Sequence, residues 1–285
     1  MTYLQAIVLG LTQGITELFP ISSLGHAVLV PQIFGWHLQM DNSFFLSFLV
    51  ATHLATATVL VIFFWRDWVG IVRGLARSVA TRRVEPSDTN ARLGWLLVIG
   101  TVPAAMLGFL LQRPIEGLFS SPVVVSLFLV ANGVVLFAAE LLRSSAPRLD
   151  TPSGSDERIS RLSWARALGV GLAQSLALIP GFSRSGTTMA GGLLAGLSNE
   201  DAARFSFLLA TPVIAAATLL KAPGLFAPSQ RAYVGPVLVG ALCAALGAYV
   251  STRFLLRFFE RNRLWPFAIY CVVVGLASAI FFLVR

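Results

Sequence analysis

Glu17, His26, His53 and Arg184 stand out because each is an ionisable side chain set within long apolar sequence. A charge there is costly to bury and marks a functional position by default. Gln13 and Glu17 lie four apart on one helical run and share a face. Pro20 interrupts the run and can open a new helix, on which Ser23 and His26, three apart, share a face in turn. A hydroxyl beside an imidazole is the pairing in which a base activates an oxygen nucleophile, so the spacing predicts that these two converge. In the competing reading Ser22 and Ser23 are helix caps and His26 is a hydrogen-bonded core residue.

A second cluster, Ser183-Arg184-Ser185-Gly186-Thr187-Thr188, follows Pro180-Gly181-Phe182. Arginine is a permanently charged planar fork suited to bidentate phosphate contacts. Hydroxyls and backbone N–H groups at a helix start add an anion cradle. The cluster reads as a phosphate site, against the alternative that Arg184 only neutralises Glu17 inside the fold. Brought together, the two clusters make a pocket holding Glu17, Ser23, His26 and Arg184, with Gln13, Ser22, Ser183, Ser185 and Thr188 around it. A diphosphate entering that pocket is drawn to Arg184 and repelled by ionised Glu17. A divalent cation, Mg²⁺ or Ca²⁺, held by Glu17 and the phosphate oxygens removes the conflict and polarises the phosphorus; dependence on such a cation is therefore expected.

These residues must be positioned by elements that live in lipid. Of the 285 residues 56% are apolar and only 12% charged, with a mean hydropathy of +0.79, about half the charge of a soluble domain. That excludes a water-soluble globule, and disorder too, since disordered chains are poor in aromatic and aliphatic residues. Six apolar stretches, 44–65, 93–111, 122–142, 202–220, 232–252 and 265–284, are each long enough to cross a hydrocarbon core about 30 Å thick. Two further apolar regions, 3–34 and 164–194, are interrupted at Pro20-Ile21-Ser22-Ser23 and at Pro180 to Gly186. Their halves are too short to cross, so they read as re-entrant helix-turn-helix hairpins. Non-helical backbone at membrane depth needs protein or a water-filled cavity to satisfy it, so both breaks are expected to line one polar pocket. The fold class is an all-α polytopic membrane protein.

The net charge of +8 is carried almost wholly by arginine, Lys221 being the only lysine. In a soluble chain this would suggest nucleic acid; here topology accounts for it. Arg66 to Arg92, Arg143 to Arg166 and Arg253 to Arg263 read as three basic loops and are placed in the cytoplasm. The connections near Arg113 and between Lys221 and Arg231 then fall outside, as do both termini. The opening Met1-Thr2-Tyr3-Leu4 has no basic run and no small-residue cleavage site, so a cleaved signal peptide is not expected. Cys243 and Cys271 lie in apolar segments without metal-ligand spacing and read as packing residues.

The chain also resembles itself. Phe48-Leu49-Val50-Ala51-Thr52 is echoed by Phe207-Leu208-Leu209-Ala210-Thr211, the Gly-rich run 100–108 by 240–247, and Gln13 through Pro20 by Gln174 through Pro180. Each half holds one hairpin and three spans, so the second half enters the membrane upside down: an inverted-topology repeat, with its site where the interrupted segments meet. The predicted units are 1–142, a polar cytoplasmic linker 143–163, and 164–285. His53 opposes Pro212 in this alignment and reads as a packing residue. The small-residue face at 100–108 suits close helix contact, either within the chain or in a homodimer.

Gln13-Gly14-Ile15-Thr16-Glu17 and Ser22-Ser23-Leu24-Gly25-His26 resemble the (E/Q)xxxE and SS-x-GH signatures of the undecaprenyl-diphosphate phosphatase family of the bacitracin-resistance type. Pro180-Gly181-Phe182-Ser183-Arg184-Ser185-Gly186 is similar to its PGxSRSG signature. Length and segment order agree along essentially the whole chain. The resemblance implies an enzyme of the bacterial cytoplasmic membrane that takes a polyprenyl diphosphate, removes its terminal phosphate and recycles the lipid carrier for wall polymers. On these residues the mechanism expected has Ser23 as nucleophile or water positioner, His26 as acid/base partner or itself the nucleophile, Glu17 as metal ligand or base, and Arg184 as clamp on the phosphoryl group, with Gln13, Ser183 and Thr188 assisting. Gln13 is the less acidic variant at its position, and Leu24 stands where the family often carries a hydroxyl. A transporter or flippase is the competing class, since broken helices in inverted repeats are common there. The acid-phosphatase-like lipid phosphatases are excluded, because they need a histidine after Ser-Arg and His26, His37 and His53 all precede it.

Overall fold

The structure, a computed structural model, describes residues 1–36, 38, 43–116, 121–143, 154–221 and 233–285. His37, residues 144–153 of the predicted linker and the connection between Lys221 and Arg231 lie outside the described residues. Within them the chain is all helix, with no strand: α1 (Tyr3–Thr16), α2 (Ser23–Ile33), α3 (Ser43–Phe63), α4 (Trp65–Thr81), α5 (Thr89–Glu116), α6 (Pro122–Leu142), α7 (Ser155–Ser160), α8 (Trp164–Ser175), α9 (Arg184–Leu194), α10 (Asn199–Lys221), α11 (Val234–Phe259) and α12 (Trp265–Val284).

Among the described residues six helical segments are long and apolar enough to cross a membrane: Phe44–Phe63, Thr89–Leu111, Pro122–Leu142, Asn199–Leu219, Val234–Phe259 and Trp265–Val284. They coincide with the predicted spans, and the ends differ for a physical reason. α11 runs on past residue 252 through Arg253 and Arg257, because arginine is a good helix former and its head can sit at the membrane surface while its stem stays apolar.

The largest departure from the sequence reading is α4. Residues from Arg66 onward, expected as a basic loop, form an amphipathic helix. Its apolar positions Trp68, Ile71 and Leu75 recur at helical spacing, and Gly74 lets it settle on the backbone of Asn90 and Ala91 at the start of α5. Arg82 closes it in the left-handed conformation, its N–H returning to Ser78 and Val79.

The basic segments gather at one end of the bundle. Arg204 of α10 bridges Asp67 of α4 (3.0 Å) and Asp156 of α7 (2.6 Å). Arg158 holds Asp201 at 2.7 Å, and Arg92 donates to the Ser160 carbonyl at 2.8 Å. The buried carboxylate of Glu140 accepts from Asn199 Nδ2 and from the Leu264 backbone, both at 3.0 Å, tying the ends of α6, α10 and α12 together. Glu140 and Arg204 thus join helix ends to one another.

At the centre α10 packs against α3, and Phe205, Phe207, Leu208, Leu209 and Ala210 are all fully buried; a helix apolar all round belongs inside. α1 lies on α11 and α8 on α5. Both contacts are made by glycines: a Cβ on Gly10 would collide with the Gly240 carbonyl, and one on Gly171 with the Gly100 carbonyl. The small-residue face of α5 is thus taken up by α8 within the chain. The outer flanks expose Phe109, Leu242, Leu246 and Leu283, side chains that lipid tails solvate without cost.

Candidate active site

Two interrupted helices meet in the core. α1 ends at Thr16, and the chain turns through Glu17 to Ile21 before α2 starts at Ser23. Ser22 caps α2, its hydroxyl accepting from Gly25 N at 3.1 Å, and holds φ at +70°, a left-handed backbone that an L-residue keeps only where its surroundings enforce it. The second break is built alike. Beyond α8 a short 3₁₀ turn at Leu176–Leu178 leads to α9, whose cap Ser183 accepts from Gly186 N at 3.1 Å.

The breaks touch. Ser185 Oγ donates to the Phe19 carbonyl at 3.0 Å, and Ser183 Oγ lies 3.0 Å from Ser185 Oγ. Asn132 of α6, fully buried, stitches them together: its Nδ2 donates to the Pro20 carbonyl and its Oδ1 accepts from Ser183 N, each at 3.0 Å. Asn132 was not singled out from sequence; a lone amide in the middle of a span is the signal that could have found it. Replacing it by leucine leaves the Ser183 N–H buried and unpaired, at about 1–3 kcal/mol, and leaves the Pro20 carbonyl with only the weak Cys271 thiol at 3.7 Å. Asn132→Leu is therefore expected to lower the thermal unfolding midpoint in detergent and to depress hydrolysis; a wild-type midpoint together with wild-type activity would show that the stitch carries no weight.

Glu17 is the hub. Arg184 Nη2 donates to its Oε1 at 2.9 Å. Its Oε2 accepts from Gln13 Nε2 at 2.9 Å and from Ser23 Oγ at 2.5 Å. His53 Nε2 stands 3.3 Å from the same oxygen, with Nδ1 against the Leu49 carbonyl at 2.7 Å. Gln13, Glu17, Ser23 and Arg184 thus come together from both halves of the chain. His53, read from sequence as packing, joins them. Its ionisable character in mid-span was the available signal, but only the approach of α3 to α1 revealed its partner.

Ser23 and His26 do not pair as predicted. Both sit on α2, yet Ser23 donates to Glu17, and the nitrogens of His26 are engaged elsewhere: Nδ1 with the Ser22 carbonyl at 2.7 Å and Nε2 with the Tyr270 hydroxyl at 2.9 Å. The reason is competition, since a carboxylate is a stronger acceptor for the serine proton than an imidazole and the turn places Glu17 within reach. Thr188 Oγ1 donates back to the Arg184 carbonyl at 2.7 Å and lies 3.4 Å from Gln174 Oε1.

Chemically, a carboxylate 2.5 Å from a hydroxyl is a base in place beside a nucleophile. The Arg184–Glu17 ion pair neutralises both charges, the role weighed against phosphate binding above. Two atoms exceed that role: Arg184 Nε and Gln13 Oε1 are buried and have no hydrogen-bond partner among the described residues. A native fold rarely leaves such groups unpaired; a donor and an acceptor waiting beside one carboxylate are suited to a polar ligand. A narrow cleft lined by Leu9, Thr12, Gln13, Ser23, Ala27 and Leu49 reaches Gln13 and Ser23. Among the described residues no three His, Cys, Asp or Glu side chains gather to hold a metal. A cation here would have Glu17 as its sole carboxylate, with the oxygens of Gln13 and Ser23 beside it.

The chain is similar to known proteins over its whole length. The chain is 45% identical to an undecaprenyl-diphosphatase of Mycolicibacterium paratuberculosis, over 100% of this chain and 99% of the relative. It is 42% identical to undecaprenyl-diphosphatase 2 of Frankia alni, covering 96% of each, and 43% identical to the Acidiphilium cryptum undecaprenyl-diphosphatase, covering 98% of each. The family model described as bacitracin resistance protein BacA matches residues 6–277, a stretch that takes in both breaks, five of the candidate spans and the first part of the sixth, and the chain belongs to that family.

Proposed function

We infer that this chain is a multi-pass membrane phosphatase that hydrolyses undecaprenyl diphosphate to undecaprenyl phosphate and inorganic phosphate, an activity that underlies bacitracin resistance and supplies the lipid carrier for wall synthesis. The relatives carry the name of that reaction, and the observation that carries the site is Glu17 joined at once to Ser23 and Arg184 across the two breaks. Ser23 Oγ attacks the terminal phosphorus and passes its proton to Glu17. The bond from phosphorus to the bridging oxygen breaks, releasing undecaprenyl phosphate, and water then hydrolyses the phosphoserine, with His26 as acid/base partner. Arg184 turns its fork, Nε included, to the phosphoryl oxygens where charge is spread in the transition state. Gln13, Ser22, Ser183, Ser185 and Thr188 hold the phosphates and the two helix starts.

A divalent cation, Mg²⁺ or Ca²⁺, fits Glu17 with the oxygens of Gln13 and Ser23, since such ions accept one carboxylate completed by phosphate and water. Bound there, it would neutralise diphosphate charge and polarise the phosphorus. Purified protein in detergent is expected to release phosphate from C55 diphosphate, to stop with chelator and to recover with either ion. A rapid quench should yield a phosphorylated Ser23 peptide. Absence of that peptide together with retained turnover in Ser23→Ala would reject serine as nucleophile, and chelator-resistant turnover would reject the cation.

We assign the break-containing pairs α1–α2 and α8–α9 as re-entrant hairpins of an inverted repeat, with units 1–142 and 164–285 joined by 143–163. Reciprocal packing supports this: Gly10 meets Gly240 as Gly171 meets Gly100, and Ser22 and Ser183 cap corresponding helices. The protein is placed in the bacterial cytoplasmic membrane with its arginine-rich end inside and its site opening to the outer face, where the lipid diphosphate is met.

A further inference from the structure

His26 is held from two sides. Its Nδ1 lies 2.7 Å from the Ser22 carbonyl oxygen, which can only accept, so Nδ1 carries the hydrogen. In the neutral ring Nε2 is then a lone pair, and the group facing it at 2.9 Å is the hydroxyl of Tyr270, which therefore donates. The two rings lie nearly parallel, 17° apart with centroids at 5.8 Å. Tyr270 belongs to α12 and His26 to α2, so the contact joins the end of the chain to its beginning. Anchored at Nδ1 alone, the imidazole could swing about that one point. A second hydrogen bond at the opposite nitrogen fixes its plane and direction.

We propose that Tyr270 is a proton relay for the hydrolysis: its hydroxyl aims the His26 imidazole and stands between the attacking water and Nε2. This rests on the reading of His26 as acid/base partner. A phenol both donates and accepts, so the contact serves both states of the ring. The proton of the attacking water passes to the Tyr270 oxygen as the Tyr270 hydrogen passes to Nε2, so the phenol is restored, the new Nε2–H donates to it, and the water oxygen is left to form the bond to phosphorus.

Tyr270→Phe keeps the ring and its stacking and removes only the hydroxyl, whereas Tyr270→Leu removes both. Phosphate release from C55 diphosphate by the full chain in detergent is expected to fall about tenfold in kcat in Tyr270→Phe, the scale of one lost hydrogen bond, with KM and the thermal midpoint unchanged. In a His26→Gln background the same change should have no further effect, since residues acting through one another are not additive. Wild-type kcat in Tyr270→Phe overturns the proposal, as does an equal loss in the His26→Gln background. A fall in activity that tracks a fall in thermal midpoint through both Tyr270→Phe and Tyr270→Leu overturns it too, leaving only packing. The parent reading fails differently: His26→Gln would then hydrolyse at the wild-type rate whatever stands at 270.

Discussion

Arg184→Ala is expected to lower turnover of C55 diphosphate by roughly 10³–10⁵-fold, the scale of removing an arginine that stabilises phosphoryl transfer. The guanidinium is buried, with side-chain exposure of 12%, and spends Nη2 on Glu17 while Nε is unpartnered. A residue serving only to neutralise Glu17 would have no reason to leave a buried donor unpaired. Removing it also strands a buried carboxylate, at about 3–5 kcal/mol, so stability and chemistry must be separated. Glu17→Gln combined with Arg184→Gln removes both charges together and should restore much of the thermal midpoint while turnover stays lost. If Arg184→Ala, kept folded in detergent, hydrolyses at a near-normal rate, the clamp assignment is wrong.

The second large effect belongs to Glu17. Glu17→Gln keeps the shape of the side chain but removes the charge and the acceptor that takes the Ser23 proton, and general-base catalysis is worth roughly 10²–10⁴-fold. The expected result is a kcat reduced by that factor, with no phosphorylated Ser23 peptide on rapid quench. Glu17→Asp keeps the charge but draws the carboxylate back from a contact of 2.5 Å to Ser23 and one of 2.9 Å to Arg184, so it should fall between wild type and Glu17→Gln. Equal activity in Glu17→Gln and wild type would move the base elsewhere, with His53, 3.3 Å from Glu17, the next side chain to test.

Much of the architecture was legible in the one-dimensional pattern. Spans are set by the thickness of hydrocarbon, and proline beside serine or glycine favours a break, so six spans and the interruptions at Pro20 and Pro180-Gly181 were legible, although Pro31 and Pro212 stand inside α2 and α10. The amphipathic α4 was not legible, because its arginines suit a basic loop equally well and the face of Trp68, Ile71 and Leu75 gains its partner only when Gly74 docks on the start of α5. The motif residues Gln13, Glu17, Ser23 and Arg184 were legible as well, since polar groups at membrane depth must be satisfied by one another.

What the sequence determined by itself is which residues are polar inside lipid, where helices stop, and which side chains share a face of one helix. Only the tertiary structure decided which partner each took: Ser23 turned to Glu17 and away from His26, His26 was claimed by Tyr270, His53 arrived from α3, and Asn132 from α6 bound the two breaks. The physical reason is that helical periodicity sets the angle of a side chain about its own axis but not the neighbour across from it. In lipid that neighbour is chosen by close packing at small residues, here Gly10 on Gly240 and Gly171 on Gly100, and by competition among buried donors and acceptors that come within reach only once those helices have docked.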